Sequence, residues 1–284
     1  MPDRPRSWRL RSTRLEFPSR PLVMGILNVT PDSFSDGGRF ASTAAAIEHG
    51  LRLADEGADL IDVGGESTRP YSQAIEEAEE LRRVLPVVQR LAETSKVPVS
   101  IDTSKSIVAR EAVAAGAEII NDVTALTGDS RMLGVALETG AAVCAMHMLG
   151  TPQNMQDDPQ YDDVVGEVLE HLRRRRNALL EAGIAADRIA LDPGIGFGKT
   201  HEHNLTLVAN CHRFHELGCP LLVGHSRKGF IGKIIGDKTA DRTAGTLGVS
   251  LALANQGVQI LRVHDVAPTL HALKLYIAAG GLDR

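Results

Sequence analysis

Eight short runs of β-branched and apolar residues recur along the chain, near 22–27, 59–63, 97–101, 118–121, 142–147, 188–192, 221–225 and 259–264. Between and after them, residues 42–57, 74–94, 105–116, 130–139, 160–183, 203–217, 240–256 and 266–280 carry apolar side chains at helical spacing. Eight βα units over about 250 residues predict an α/β fold, a (β/α)8 TIM barrel in one domain. No Pro/Gly/Ser-rich linker divides them, so the barrel domain is expected to span residues 22–284. The alternative is a doubly wound open sheet, which would require a topological switch point.

Local punctuation agrees with that alternation. Ser42 or Thr43 is placed to cap the first helix, and Gly57, Gly116, Gly140, Gly183, Gly218 and Gly257 stand where helices should stop on a left-handed residue. Ahead of the barrel, residues 1–21 form an extension in which Trp8, Leu10, Leu15 and Phe17 alternate with arginines. That pattern predicts a short strand or hairpin plugging the bottom of the barrel.

Composition narrows the function classes. With 43% hydrophobic and 24% charged residues in 284, the chain can bury a large core. Aromatics make up only 4%, which suits β-branched strands and Ala-rich helices better than a sandwich. A formal net charge of −5 argues against a general nucleic-acid or membrane-surface binder. Cys144, Cys211 and Cys219 are too scattered for a disulfide framework, so buried thiols in a reducing, cytoplasmic setting are expected. No run approaches the roughly 18 to 20 apolar residues of a membrane-spanning helix. The Arg-rich start contains Asp3 and Glu16 and lacks the apolar core of a secretory signal.

In a TIM barrel the site lies at the C-terminal ends of the strands. Here those ends are Asn28, Asp62, Asp102, Asn121 with Asp122, His147, Asp192, Ser226 with Lys228, and Arg262 with His264. Turn-forming Asn and Asp would account for one or two, Asp122 among them. Eight polar ends together call for specific partners, because an unpaired buried polar group is costly. Asp102, Asn121, Asp192 and Lys228 make a set of acceptors and donors suited to the edge of a planar amino-heterocycle, with a carboxylate matched to an amidine-like N–H pair. Arg262 and His264 lie two apart on the last strand, hence on one side, and with Asn28 suggest an anion site. The Gly-rich segments 64–70 and 192–199 allow close approach of backbone to ligand, and neither has nucleotide-binding spacing.

Taken in order, Met24-Gly-Ile-Leu-Asn-Val-Thr-Pro-Asp-Ser-Phe-Ser-Asp-Gly-Gly38, Ile61-Asp-Val-Gly-Gly-Glu-Ser-Thr-Arg-Pro70, Ser100-Ile-Asp-Thr103, Asn121-Asp-Val123, Leu191-Asp-Pro-Gly-Ile-Gly-Phe-Gly-Lys199, Ser226-Arg-Lys228 and Arg262-Val-His264 closely resemble the dihydropteroate synthase family over residues 22–280. The resemblance implies condensation of 6-hydroxymethyl-7,8-dihydropterin pyrophosphate with p-aminobenzoate, and sensitivity to sulfonamides. It implies a pterin site of Asp102, Asn121, Met146, Asp192, Gly224 and Lys228. A pyrophosphate site would comprise Asn28, Thr68, Arg69, Arg262 and His264, and a Mg²⁺ ion would sit on Asn28 and Asp36. The surroundings of p-aminobenzoate would be Phe34, Pro70, Phe197 and Ser226, next to Thr68 and Arg69. Asp102, Asp192, Lys228 and Arg262 are the expected catalytic set, and a homodimer through the last helices is implied. His225 is a departure, expected on the face opposite Gly224 and Ser226.

The expected mechanism is dissociative. The bond to pyrophosphate breaks first, Asp102 and Asp192 stabilise the resulting cation, and the first two loops, flexible at Gly37, Gly38, Gly64 and Gly65, exclude water. Alternatives are a methyltetrahydrofolate-dependent corrinoid methyltransferase on the same barrel, a Schiff-base aldolase using Lys228, or a non-catalytic pterin-binding barrel. The first would lack the 28–38 loop and the Ser226–Lys228 run. The second needs an apolar lysine pocket. His201, His203, His212 and His215 are read as solvated or lightly structural rather than as a zinc cluster. Arg173–Arg176 and Glu76–Glu80 are read as solvated helix faces.

Overall fold

The computed structural model describes residues 4–30, 38–237 and 239–282. Eight parallel strands run in the order predicted: β3 (Leu22–Asn28), β4 (Leu60–Gly64), β5 (Val99–Asp102), β6 (Ile119–Asp122), β7 (Ala142–Met146), β8 (Ile189–Asp192), β9 (Leu222–Val223) and β10 (Ile260–Val263). Each pairs with its sequence neighbour, and β10 pairs with β3, so there is no switch point and the open-sheet alternative falls. A parallel bridge between Leu191 and Leu221 closes β8 onto the start of β9. The helices are α1 (Gly38–Asp55), α2 (Glu77–Thr94), α3 (Ser106–Ala114), α4 (Met132–Thr139), α5 (Val164–Glu181), α6 (His201–Ala209), α7 (Gly229–Ile235), α8 (Thr243–Asn255) and α9 (Val266–Ala278).

Alternation along the strands sorts the interior into an apolar floor and a polar top. Met24, Leu60, Ile119, Ala142, Cys144, Ala190, Leu222 and Ile260 form one buried cluster at the lower end. One or two inward positions further along stand Asp62, Asp102, Asn121, Met146, Asp192, Gly224 and Arg262. The intervening residues, such as Val23, Ile61, Ile101, Val143, Leu191 and Leu261, pack with the helices in the main core.

The extension closes the floor as a hairpin of β1 (Ser7–Arg9) and β2 (Arg14–Glu16), antiparallel and separate from the barrel sheet. Trp8 and Leu10 are fully buried in the lower cluster. The Trp8 indole donates to the Arg188 carbonyl at 3.1 Å, and Glu118 accepts from both the backbone and hydroxyl of Ser12.

Several expectations change in detail. The first helix begins at Gly38, which places Ser42 and Thr43 inside it rather than at its cap. The seventh strand stops at Val223 because the chain turns there, and Arg227 adopts φ 58°. The expected helix 203–217 divides at Asn210 into α6 and a 3-10 segment, Cys211–Leu217. Glu80 is not solvated: its buried carboxylate lies 2.6 Å from Lys105, which also reaches Glu66 at 3.0 Å. Nor is the arginine run wholly wet, since Arg175 donates to the Ala125 carbonyl and Arg176 to that of Leu217. The six helix-stopping glycines all have positive φ, as expected.

Candidate active site

Strand register brings the polar ends level with one another. Gly64 pairs with Asp102, Asp102 with Asn121, and Met146 with Asp192. Above them opens a cavity of about 1440 Å³ whose lining includes Asn28, Asp102, Phe197, Lys228, Arg262 and His264. Thr68, Arg69, Pro70, Gly224 and Ser226 also border it. Asn121 and Asp192 are buried just beneath, and Met146 lies beside Gly194. Phe34 and Asp36 lie outside the described residues.

At the floor of this cavity three charges are locked together. Arg262 Nε donates to Asp62 Oδ2 at 2.6 Å, and its Nη2 donates to Asp102 Oδ2 at 2.6 Å. Asn121 Nδ2 donates to the same Asp62 oxygen at 3.0 Å. Arg262, assigned from the resemblance to pyrophosphate, thus spans the barrel to two carboxylates, because buried charges of opposite sign must pair. Burial alone would lower the guanidinium pKa, but Asp62 and Asp102 outweigh it and hold Arg262 firmly protonated. Asp62 had no role in the sequence reading beyond being a polar strand end. Its signal was the inward alternation Leu60-Asp62-Gly64, which puts a carboxylate inside the barrel.

The two expected catalytic carboxylates are strained electrostatically. Burial pushes the Asp102 carboxyl well up, against the pull of Arg262 and with the push of Asp62, Glu80 and Asp122. Burial likewise raises Asp192 to about 6, opposed by the Gly194 N–H at 2.7 Å and by Lys228, Arg262 and Lys199. Lys228 is lowered to about 8, first by burial and then by Arg262. Its ammonium rests over the Phe197 ring, 4.2 Å from the centroid, a cation–π contact that makes one wall of the cavity. Arg69 is near enough to Lys228 to depress it further.

Ser226 lines the cavity and also holds a neighbouring side chain. Its Oγ lies 3.0 Å from His264 Nδ1 and accepts the His264 backbone N–H at 3.2 Å. The hydroxyl thus orients His264 while Ser226 still borders the cavity. Burial, then Arg227 and Arg262, lower His264 to about 4, so it is a neutral imidazole at pH 7. A Ser226 hydroxyl donating to Nδ1 would leave the imidazole proton on Nε2. His225 turns the other way: its Nε2 is 2.8 Å from Ser250 Oγ in α8, and the ring is fully buried.

Of His201, His203, His212 and His215, three hold structure. His203 completes a capping box with Thr200 at the start of α6. His212 and His215 contact Gln256, and His201 stands at the cavity rim.

A model of pterin binding enzymes matches residues 24–264, most of the chain. The chain belongs to this family. Among curated pterin binding enzymes, dihydropteroate synthase of Escherichia coli K12 is 47% identical over 257 residues, 90% of this chain and 91% of that one. A Yersinia pestis dihydropteroate synthase, solved as a sulfonamide drug complex, superposes with a TM-score of 0.90 at 44% identity, covering 96% and 99% of the two chains. The Xanthomonas albilineans enzyme, solved with 4-aminobenzoic acid, gives 0.90 at 47% identity over 98% and 99%.

Proposed function

We propose that the chain is a dihydropteroate synthase, joining 6-hydroxymethyl-7,8-dihydropterin pyrophosphate to p-aminobenzoate to give 7,8-dihydropteroate and pyrophosphate for folate synthesis. The observation that carries the reading is the pair of carboxylates, half-buried Asp102 and buried Asp192, beside Lys228 and Arg262 in a chain similar to named synthases over nine-tenths of its length. A corrinoid methyltransferase and a Schiff-base aldolase are both disfavoured by the same similarity.

The chemistry follows from the floor of the cavity. Asp192 accepts an amidine-like N–H pair of the pterin, Asn121 and Lys228 read its remaining edge, and Met146 packs against a face. When the C–O bond breaks, its electron pair leaves with pyrophosphate and positive charge spreads into the pterin ring. Raised carboxylate pKa values mean that Asp102 and Asp192 are under-compensated by their present partners. A cation forming beside them is therefore bound more tightly than the neutral ground state, which is the condition for acceleration. His264 Nε2–H and Arg69 receive the departing pyrophosphate. The p-aminobenzoate nitrogen then attacks the methylene carbon and sheds a proton, its ring held near Phe197 and Pro70.

Asn28 supplies an amide oxygen at the cavity edge, a donor type suited to a hard cation. With Asp36 it would hold Mg²⁺, which would neutralise pyrophosphate charge. A homodimer is supported by exposed apolar side chains late in the chain, Ile234, Ile235 and Leu275. Three free, buried cysteines suit the cytoplasm.

The test is product analysis by chromatography with both substrates present. 7,8-Dihydropteroate and pyrophosphate are expected in equal amounts, with a sulfonamide raising the apparent KM for p-aminobenzoate. No dihydropteroate from folded protein, with Mg²⁺ supplied, would contradict the reading.

A further inference from the structure

Lys199 is 2% exposed and outside the roles described so far; burial lowers its ammonium to about 7, with Asp192 pulling the other way. Its Nζ lies 2.9 Å from the Gly194 carbonyl, 2.8 Å from that of Phe197 and 2.9 Å from His147 Nδ1. Those three acceptors match the three donors of an ammonium. Burial, with the nearby Lys199 and His171, lowers His147 to about 2, so the ring is neutral and Nδ1 offers a lone pair.

The segment clamped this way, residues 193–198, has no regular secondary structure. It presses directly on the end of β7: a Cβ on Gly194 would fall 1.9 Å from the His147 carbonyl. Side chains supply its remaining ties, with Gln156 donating to the Gly196 carbonyl, Tyr161 to that of Gly198, and Asn204 accepting from Gly196 N. Two of its residues hold groups of the proposed substrate site. The Gly194 N–H holds Asp192, and the Phe197 ring supports Lys228.

We propose that Lys199, seated on His147, is a positioning residue for the synthase reaction: it fixes the 193–198 loop so that Asp192 and Phe197 meet the pterin and the p-aminobenzoate in register. The assignment rests on the function proposed above. One lysine spans both substrate subsites because Gly194 is shared, its N–H spent on Asp192 and its carbonyl on Lys199.

Lys199→Met keeps side-chain length and removes all three donors. The expected result is a rise of at least tenfold in pterin Kd by calorimetry and in KM for p-aminobenzoate. A second readout separates positioning from fold maintenance. Without the Lys199 charge Asp192 is opposed only by Lys228, Arg262 and the Gly194 N–H, so the pH below which pterin affinity falls should move upward. Kd, KM and that pH all within threefold, or a third of a pH unit, of the parent would overturn the proposal. If Lys199→Met does not fold, His147→Leu is compared with His147→Gln, which keeps an acceptor. Recovery of most of the lost kcat/KM in the Gln variant supports the couple, and equal values for the two overturn it. Turnover by the parent protein reports separately on the synthase reading.

Discussion

Asp192 ties the proposed pterin site to a definite pH range. Its folded pKa of about 6 lies above the usual carboxylate value of about 4, so between those limits the folded protein holds a proton that the unfolded chain has released. The cost of burying its charge therefore grows as pH rises from 4 to 6, and is constant above. If Asp192 binds pterin as proposed, through its charged form, affinity should weaken as pH falls through 6, by about tenfold between pH 7.5 and 5. Calorimetry across that range checks it, and a flat profile would remove Asp192 from pterin recognition. Lys228→Ala should weaken pterin binding by at least tenfold, because an ammonium over Phe197 and beside Asp192 is lost. Unchanged affinity would put the anchor elsewhere. At this scale the sequence was most informative where chemistry is local, as in the strand-end carboxylates. It was least informative for Arg262, whose partners Asp62 and Asp102 stand 200 and 160 positions away. The motif showed that an arginine belongs at the site, not which charges it faces.

Elements were legible wherever period and punctuation act over a few residues. The alternation that makes Met24, Leu60 and Cys144 line the floor is visible in the strands themselves, and glycine marked six helix ends. Boundaries failed where tertiary contacts decide them, as at β9, expected over 221–225 but cut to Leu222–Val223 by the turn through Arg227. Glu80 was misread because α2 starts with acidic residues, and only packing against Lys105 of the following segment distinguishes the buried one. That pair has a consequence for stability: Lys105→Met strands two carboxylates, one fully buried, and should cost about 3–5 kcal/mol in denaturant unfolding. A loss below about 1 kcal/mol would mean the pair is not isolated from water. For the hairpin, Trp8→Ala should cost about 3–5 kcal/mol and leave KM values unchanged, because the indole fills the end of the barrel opposite the cavity. A raised KM with unchanged stability would contradict the plug.

Across the whole molecule, eight strands divide labour along their length. Lower inward positions are apolar and sealed by the hairpin, while upper positions gather acceptors and cations from β3 to β10 into one hollow. No strand carries the site alone, and the barrel makes neighbours of residues that the chain keeps far apart. The central claim is that carboxylate charge at the top is spent on the cation formed as pyrophosphate departs, and kcat/KM for Asp102→Asn measures it directly. A fall of at least a hundredfold, about 2.7 kcal/mol of transition-state stabilisation, is the expected result. A value within threefold of the parent, less than about 1 kcal/mol, would contradict it.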